Sequence, residues 1–163
     1  MEAKEDSVEI LLRPVMACFP TGVTIVAARD GEGLPRGLTV NSFTSVSLDP
    51  PLVLVCIDQE STSFEYLAES GGFVVSILSG GQADVAKRFA RRPSEGRFDD
   101  VDWWPAPSGN PVVKGAVAWL DCSIETVIEA GDHSIFVGRP TSGEAGTDPA
   151  LVFHRGSLGS IGG

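Results

Sequence analysis

Apolar positions along this chain follow two periods, and the change from one to the other divides it. Near the start, Val8, Leu11, Leu12, Val15, Met16 and Phe19 recur at intervals of three and four, the spacing of one helix face. Asp6 followed by Glu9 resembles a capping box, and Pro14 inside the pattern predicts a kink or two short helices rather than one rod. Pro20-Thr21-Gly22 ends this segment, and the period then shortens towards two. Val23 to Ala28 reads as a strand, Asp30-Gly31-Glu32-Gly33 as a hairpin turn, and Leu38 and Val40, alternating with Thr39 and Asn41, as the next strand. Leu52 to Ile57 and Phe73 to Leu78 are apolar runs of buried-strand length. Between them Ser61-Thr62-Ser63 opens a short helix that Gly71-Gly72 closes, and a second helix is predicted over 82–89 with Val85, Ala86 and Phe89 facing inwards.

Residues 91–111 carry Arg, Pro, Gly and Asp with Trp103 and Trp104 and show no period, which predicts a long surface excursion with a role of its own. Ala116 to Glu129 is the longest strand pattern. Ala118, Leu120, Cys122, Ile124 and Ile128 fall on one face, and Trp119, Asp121, Ser123, Glu125 and Glu129 on the other. Gly131-Asp132 turns it into a strand through Ile135 and Val137, and Leu151 to Phe153 supply a last one. Strands joined by short turns, with helices inserted and no βαβ alternation, predict a mainly β fold, an antiparallel barrel. The length suits a single domain over 1–163, with 1–6 and 159–163 expected as flexible ends.

Composition narrows the partners. Twelve basic against twenty-two acidic residues give a formal charge of −10, which argues against a nucleic-acid or anionic-membrane partner. The one basic cluster, Lys87, Arg88, Arg91, Arg92 and Arg97, suits a small phosphorylated ligand better than a polymer. The longest uninterrupted apolar run, Leu52 to Ile57, is too short to cross a bilayer as a helix, and no signal-peptide pattern opens the chain. Cys18, Cys56 and Cys122 have neither metal nor redox spacing. Cys56 and Cys122 are expected as small core residues, and the set fits a reducing cytoplasm. No Gly-rich Rossmann fingerprint follows a strand, so a dinucleotide bound here would bind in another manner.

The most informative run is Gly37 to Leu52. After the strand start, Thr39, Asn41, Ser42, Thr44, Ser45 and Ser47 make a polar stretch too dense for a packed strand, and Asp49-Pro50-Pro51 stops it. A polar crest between two buried strands suits a ligand with many acceptors, such as a ribityl phosphate. The plain alternative is a Ser/Thr-rich turn capped by prolines.

This run resembles the signature of the short-chain NAD(P)H:flavin oxidoreductases, the reductase components of two-component flavin-dependent monooxygenases. Phe19-Pro20-Thr21-Gly22-Val23 is similar to that family's opening block, and Leu52 to Ile57, Arg88-Phe89-Ala90 and Arg97-Phe98 to its following strand, helix and loop. Gly131 to Arg139 resembles its second hallmark and Leu151 to Gly156 its closing strand. The resemblance implies an FMN-binding split β-barrel, a homodimer, and NAD(P)H-dependent reduction of FMN, or of FAD in its place, for a partner monooxygenase. It implies that Thr39, Val40, Asn41 and Ser42 run along the flavin ring and ribityl, and that Ser45, Val46 and Ser47 continue that wall. Ser61 and Ser63, at a helix start, and Lys87, Arg88 and Phe89 would meet a phosphate or an adenine. Phe153 would stand beside the flavin, where tyrosine is common in the family, as at Leu158; Ser76 replaces a frequent asparagine.

His133 follows a Gly-Asp turn, which places it at a strand start and a barrel rim. The resemblance implies that it lies near the nicotinamide, in a positioning role and with proton supply to the reduced flavin as a second one. A turn histidine bonded to Asp132 is the plain alternative. The competing function is a flavin- or haem-binding protein of the same barrel without reductase activity, an electron carrier or sensor.

Overall fold

The structure, a computed structural model, describes residues 2–91 and 94–162. Helix α1 (Glu2–Ala17) opens the chain and is continuous through Pro14. The expected break is absent because one proline removes one rung of the ladder while the rungs on either side still hold. Asp6 lies inside this helix and not at its cap. Strand β1 (Thr21–Gly22) is followed by β2 (Thr24–Arg29) and β3 (Pro35–Val40), joined through the predicted turn. Asp30 organises that turn: its Oδ1 accepts from the N–H groups of Glu32 and Leu34 at 3.0 and 2.9 Å, and its Oδ2 from Arg36 Nε at 2.8 Å.

Thr44 to Leu48 form β4, which departs from the expected polar crest. The strand survives its hydroxyl density because it is an exposed edge, with no second layer to pack against. A cis Asp49–Pro50 bond leads into β5 (Pro51–Asp58), then α2 (Thr62–Glu69), β6 (Gly72–Ile77) and α3 (Ala83–Phe89). Within the aperiodic segment the described residues 94–111 are anchored to the core at several points, although many of them stay exposed. Phe98, Ala106 and Asn110 are buried, and β7 (Trp103–Pro105) pairs with β8 (Pro111–Val113). Its turn is fixed from beneath by Asp121, 1% exposed, which accepts from the Ser108 N–H and Oγ at 2.9 and 2.7 Å. That explains why one residue assigned to the polar face of its strand is interior.

Strands β9 (Ala118–Ala130) and β10 (His133–Ala145) form the longest hairpin, with register shifts after Val137 and Pro140. A Cβ on Gly138 would meet Phe73 Cζ at 2.6 Å, so glycine lets β10 press against the core at the first shift. The chain ends with β11 (Ala150–His154) and β12 (Ser157–Ile161), paired along their lengths; Gly159 to Ile161, expected in a flexible tail, belong to this hairpin.

The main sheet runs β3-β2-β6-β9-β10-β5-β4, every pair antiparallel. Strands β3 and β4 are consecutive in the chain yet stand at its opposite edges, joined by residues 41–43 alone. Flat, seven strands would hold their edges roughly 29 Å apart. The link from Val40 to Thr44 spans at most about 14 Å. The sheet must therefore curl until its edges nearly meet, and it stops short of closing: the result is a split barrel. One core fills its inside, from Val26, Val55, Phe73 and Phe136, and a second lies outside β2 under α3 and β11, from Ile25, Leu78, Phe89 and Leu151. Strand β2 belongs to both, which is why its run is apolar without alternation.

At the split, the Ser42 hydroxyl takes the place of a missing strand. Its Oγ accepts from the Cys56 N–H at 2.9 Å and donates to the Cys56 carbonyl at 3.1 Å. Ser42→Ala removes both partners from one half-buried peptide group, and we expect a loss of about 1–3 kcal/mol in urea unfolding. An unchanged midpoint would show that water replaces the hydroxyl at no cost.

Candidate functional site

The crossing residues 41–43 head a cleft. One wall is the free edge of β3 at Leu38, Thr39 and Val40; the other is the end of β5 at Cys56, Ile57 and Asp58. The cleft holds about 370 Å³, and Asn41 and Ser42 lie where the two walls meet. Its hydroxyls are largely committed to the protein. Thr39 Oγ1 donates to the Ala86 carbonyl of α3 at 2.6 Å, and Ser42 is bound to Cys56. An edge strand still offers every second N–H and C=O outward, so a ligand here meets backbone and the exposed Asn41 amide rather than a row of free hydroxyls.

Helix α2 points its N-terminus at this cleft. Ser61 caps it, its side chain accepting from the Ser63 N–H at 3.1 Å, and Ser61 and the buried Ser63 both line the cavity. The helix dipole favours an anion there, although Ser61 already takes the Ser63 and Phe64 N–H groups of the first turn. Phe89, fully buried and set edge-to-face against Phe98 at 4.8 Å, forms an apolar part of the lining. A Cβ on Gly37 would stand 3.0 Å from Phe89 and 3.2 Å from Phe98, so glycine lets the β3 edge lie directly on these rings.

Sequence reasoning placed the cationic contact at Lys87 and Arg88. The structure separates them. Arg88 turns away: its Nε and Nη2 donate to the carbonyls of Arg97 and Gly96 at 2.7 and 2.9 Å, and it pairs with exposed Asp100 at 3.2 Å. Lys87 lines a neighbouring groove. The cation that reaches the cleft is Arg97, 8% exposed, whose Nη1 donates to the Gly37 carbonyl at 2.7 Å and whose Nε and Nη2 donate to the Arg91 carbonyl. In the sequence Arg97 stood out as part of a basic cluster and, with Phe98, as a match to the family's loop, but it was given no place in the site. The signal that would have found it is its neighbour, Phe98, an apolar residue in a polar stretch. Asp58 and Cys56 were also missed, since a strand's last residues carry no pattern of their own.

His133 begins β10 directly opposite Asp58, at the mouth of the cleft. Its Nδ1 lies 2.6 Å from Asp132 Oδ1. A carboxylate can only accept, so Nδ1 carries the proton and Nε2 is left to a ligand. This histidine is thus bonded to Asp132 and also lines the cleft. The hydrogen bond to His133, and then its charge, hold the Asp132 carboxyl below the usual range.

Two further grooves adjoin the first. One, about 670 Å³, is shared through Thr39, Asn41 and Ala90 and extends to Phe153 and Leu158; the next, about 1030 Å³, runs past Asn41 and Phe153 to Arg13 and Met16 of α1. Asn41 borders all three. Of the other predicted residues, Ser45, Val46 and Ser47 stand on the outer edge strand, away from these linings. Ser76 is interior and accepts from the Val113 N–H at 3.1 Å, a structural contact. Among the described residues no cluster of His, Cys, Asp and Glu could hold a metal ion, and no helix is long and apolar enough to cross a membrane.

Comparison with known proteins gives a consistent picture. Residues 16–162 match the family model described as a flavin reductase like domain. The chain is 46% identical over 145 residues to the stachydrine N-demethylase reductase subunit of Rhizobium meliloti, covering 89% of this chain and 63% of that protein. It is 43% identical over 150 residues to a flavin reductase of Pseudomonas putida, covering 91% and 88%. Among solved structures, the NADH:FAD oxidoreductase of Streptomyces globisporus superposes with a TM-score of 0.88 at 40% identity, covering 95% of this chain and 94% of that one. The chain spans 46% of the length of another Rhizobium meliloti relative, so part of its curated kin are about twice as long.

The Asp132–His133 contact has a direct readout. His133→Ala should return the Asp132 carboxyl upwards to the ordinary carboxylate range in a carbon-13 carboxyl titration. A value that does not move would mean that the pair is not formed in solution.

Proposed function

The chain belongs to the flavin reductase-like family, and from that membership we propose that it is an NAD(P)H:flavin oxidoreductase supplying reduced flavin to a partner monooxygenase. The observation that supports this most is His133 at the mouth of a cleft formed by the split of the barrel, with its Nδ1 bound to Asp132, which leaves Nε2 as the nitrogen that can accept from a ligand. The cleft suits a flavin: an apolar ring such as Phe89 and the free β3 edge meet a flat heterocycle, while the α2 N-terminus and Arg97 meet an anionic tail. Flavin and nicotinamide supply the hydride chemistry between them, so the protein needs no acid or base for the transfer itself.

The residues here bind and orient. Backbone groups of 39–42 fix the ring's edge, and Ser63 and Arg97 hold the tail. His133, held in one tautomer by Asp132, positions the nicotinamide from the open side and can hold a proton at Nε2 for the reduced ring. Ser45, Val46 and Ser47 play no part in this arrangement. Arg88 acts at one remove, by holding the loop that carries Arg97.

The homodimer is part of the same proposal. Val8, Leu11, Leu12, Val15 and Met16 are each more than half exposed on one stripe of α1, and Phe19, just past its end, is as open; the six lie between 53% and 66%. A contiguous apolar stripe of this kind suits a second copy of the chain. Light scattering should then return twice 17.1 kDa for the native protein and a monomer for Leu12→Glu. A native monomer would remove the dimer from the proposal.

Consumption of NADH and NADPH without flavin, with FMN and with FAD tests the activity. We expect oxidation that depends on added flavin and saturates with it. His133→Ala should lower kcat/KM for the nucleotide roughly a hundredfold with the KM for flavin unchanged. Flavin bound in a titration but no nucleotide oxidised would favour the non-catalytic carrier or sensor.

A further inference from the structure

The α2 wall of the cleft conceals a tyrosine whose polar end has nothing to bond. Ser61 spends its side chain on the cap, and Thr62 turns its hydroxyl to Ser94 at 3.0 Å. Ser63, 1% exposed, lines the cleft, and Tyr66 follows it one turn later on the same face of the helix. Tyr66 is 7% exposed and packs into the inner core, yet its Oη makes no hydrogen bond to any described residue. A buried hydroxyl without a partner destabilises a fold, and phenylalanine would fill the same space without that cost. Burial pushes the Tyr66 pKa up to about 12, while Ser63, Arg97 and Arg36 pull it down, so the group stays a protonated donor at neutral pH. Ser63 and Arg97 both line the cleft, and Arg36 is paired with Asp30 at 2.8 Å. Of these three neighbours only the serine can accept the tyrosine proton, since a guanidinium has nothing but donors.

We propose that Tyr66 is a positioning residue for the anionic tail of the flavin and acts through Ser63. An anion in the cleft draws the single Ser63 hydroxyl hydrogen outwards. The Ser63 lone pairs are then turned to Tyr66 Oη, which donates to them and gains the partner it lacks in the free protein. The two hydroxyls form a chain, Tyr66 to Ser63 to anion, in which each bond polarises the next. The free protein thus carries a strain that a phosphorylated ligand relieves and an unphosphorylated one does not. The proposal rests on the flavin reading for the identity of the anion.

FMN and riboflavin differ only in the phosphate, so their affinities, read by quenching of flavin fluorescence, separate the tail from the ring. Tyr66→Phe should weaken FMN about tenfold and leave riboflavin unchanged. The same variant without flavin should melt no lower than the native protein, since only an unpartnered hydroxyl is lost. Ser63→Ala should also weaken FMN alone. The double variant should bind FMN no more weakly than Ser63→Ala, because Tyr66 acts through that side chain. Equal weakening of both flavins, or an unchanged FMN affinity, would overturn the proposal. So would a lower melting temperature, which would mean that the hydroxyl already has a partner, or losses that add in the double variant. The expected pattern of binding with no nucleotide oxidised would sink the reductase reading and leave the role of Tyr66 standing. Binding of neither flavin by the native protein would sink both.

Discussion

Residues 41–43 carry the chain from one edge of a seven-stranded sheet to the other, and this short tether is the constraint on which the remaining geometry depends. It curls the sheet, decides where the barrel is split, and puts the split beside the segment that crosses it. Ser42 then bonds the Cys56 peptide group across the gap, which fixes the distance between the walls. The cleft is therefore a product of topology before it is a product of any side chain. The α2 cap, the start of β10 and the end of α3 reach it because each neighbours an edge or end of that curled sheet.

The polar groups around the cleft are divided between two duties. Thr39, Ser42 and Ser61 spend their hydroxyls on protein partners: Thr39 on the Ala86 carbonyl of α3, Ser61 on the first turn of α2, and Ser42 on the Cys56 N–H and carbonyl that the split would otherwise leave exposed. What remains for a ligand is backbone on an edge strand, the Asn41 amide and an imidazole nitrogen, with the guanidinium of Arg97, already bound to the Gly37 and Arg91 carbonyls, as fixed positive charge in the wall. Such a lining tolerates change in hydroxyl side chains better than change in backbone position. It explains how the site stays polar although Phe153 and Leu158 bring no hydroxyl to the adjoining groove.

Much of the fold was legible in the sequence because its strands alternate or run apolar and its turns carry Asp, Gly and Pro in their usual places. The strand through Leu52–Ile57, the α2 cap at Ser61, the hairpin at Gly131-Asp132 and the rim position of His133 all follow from local patterns. What was not legible depends on contacts between distant segments. Thr44–Leu48 read as a crest because hydroxyl density forbids a packed strand, but an edge strand packs on nothing. Residues 91–111 read as surface because they show no period; the described part of the segment is held by Asp121 and Arg88 from elsewhere in the chain and by its own Arg97 reaching Gly37. Lys87 and Arg88 are adjacent in sequence yet face different ways, since neighbours on a helix point about a hundred degrees apart. That separation cannot be read from a basic cluster alone.

The tie between α3 and the loop after it has a consequence for acidity. Arg88 binds the carbonyls of Gly96 and Arg97, and Arg97 binds those of Arg91 and Gly37. Guanidinium keeps its proton throughout the range in which proteins stay folded, and a peptide carbonyl has none to lose. This wall of the cleft is thus fastened by bonds that do not titrate. Across the opening, His133 is oriented by the Asp132 carboxylate, a contact that lasts only while that carboxylate keeps its charge. One jaw of the cavity is thus held by bonds indifferent to the medium, and the histidine on the other by a bond that is not.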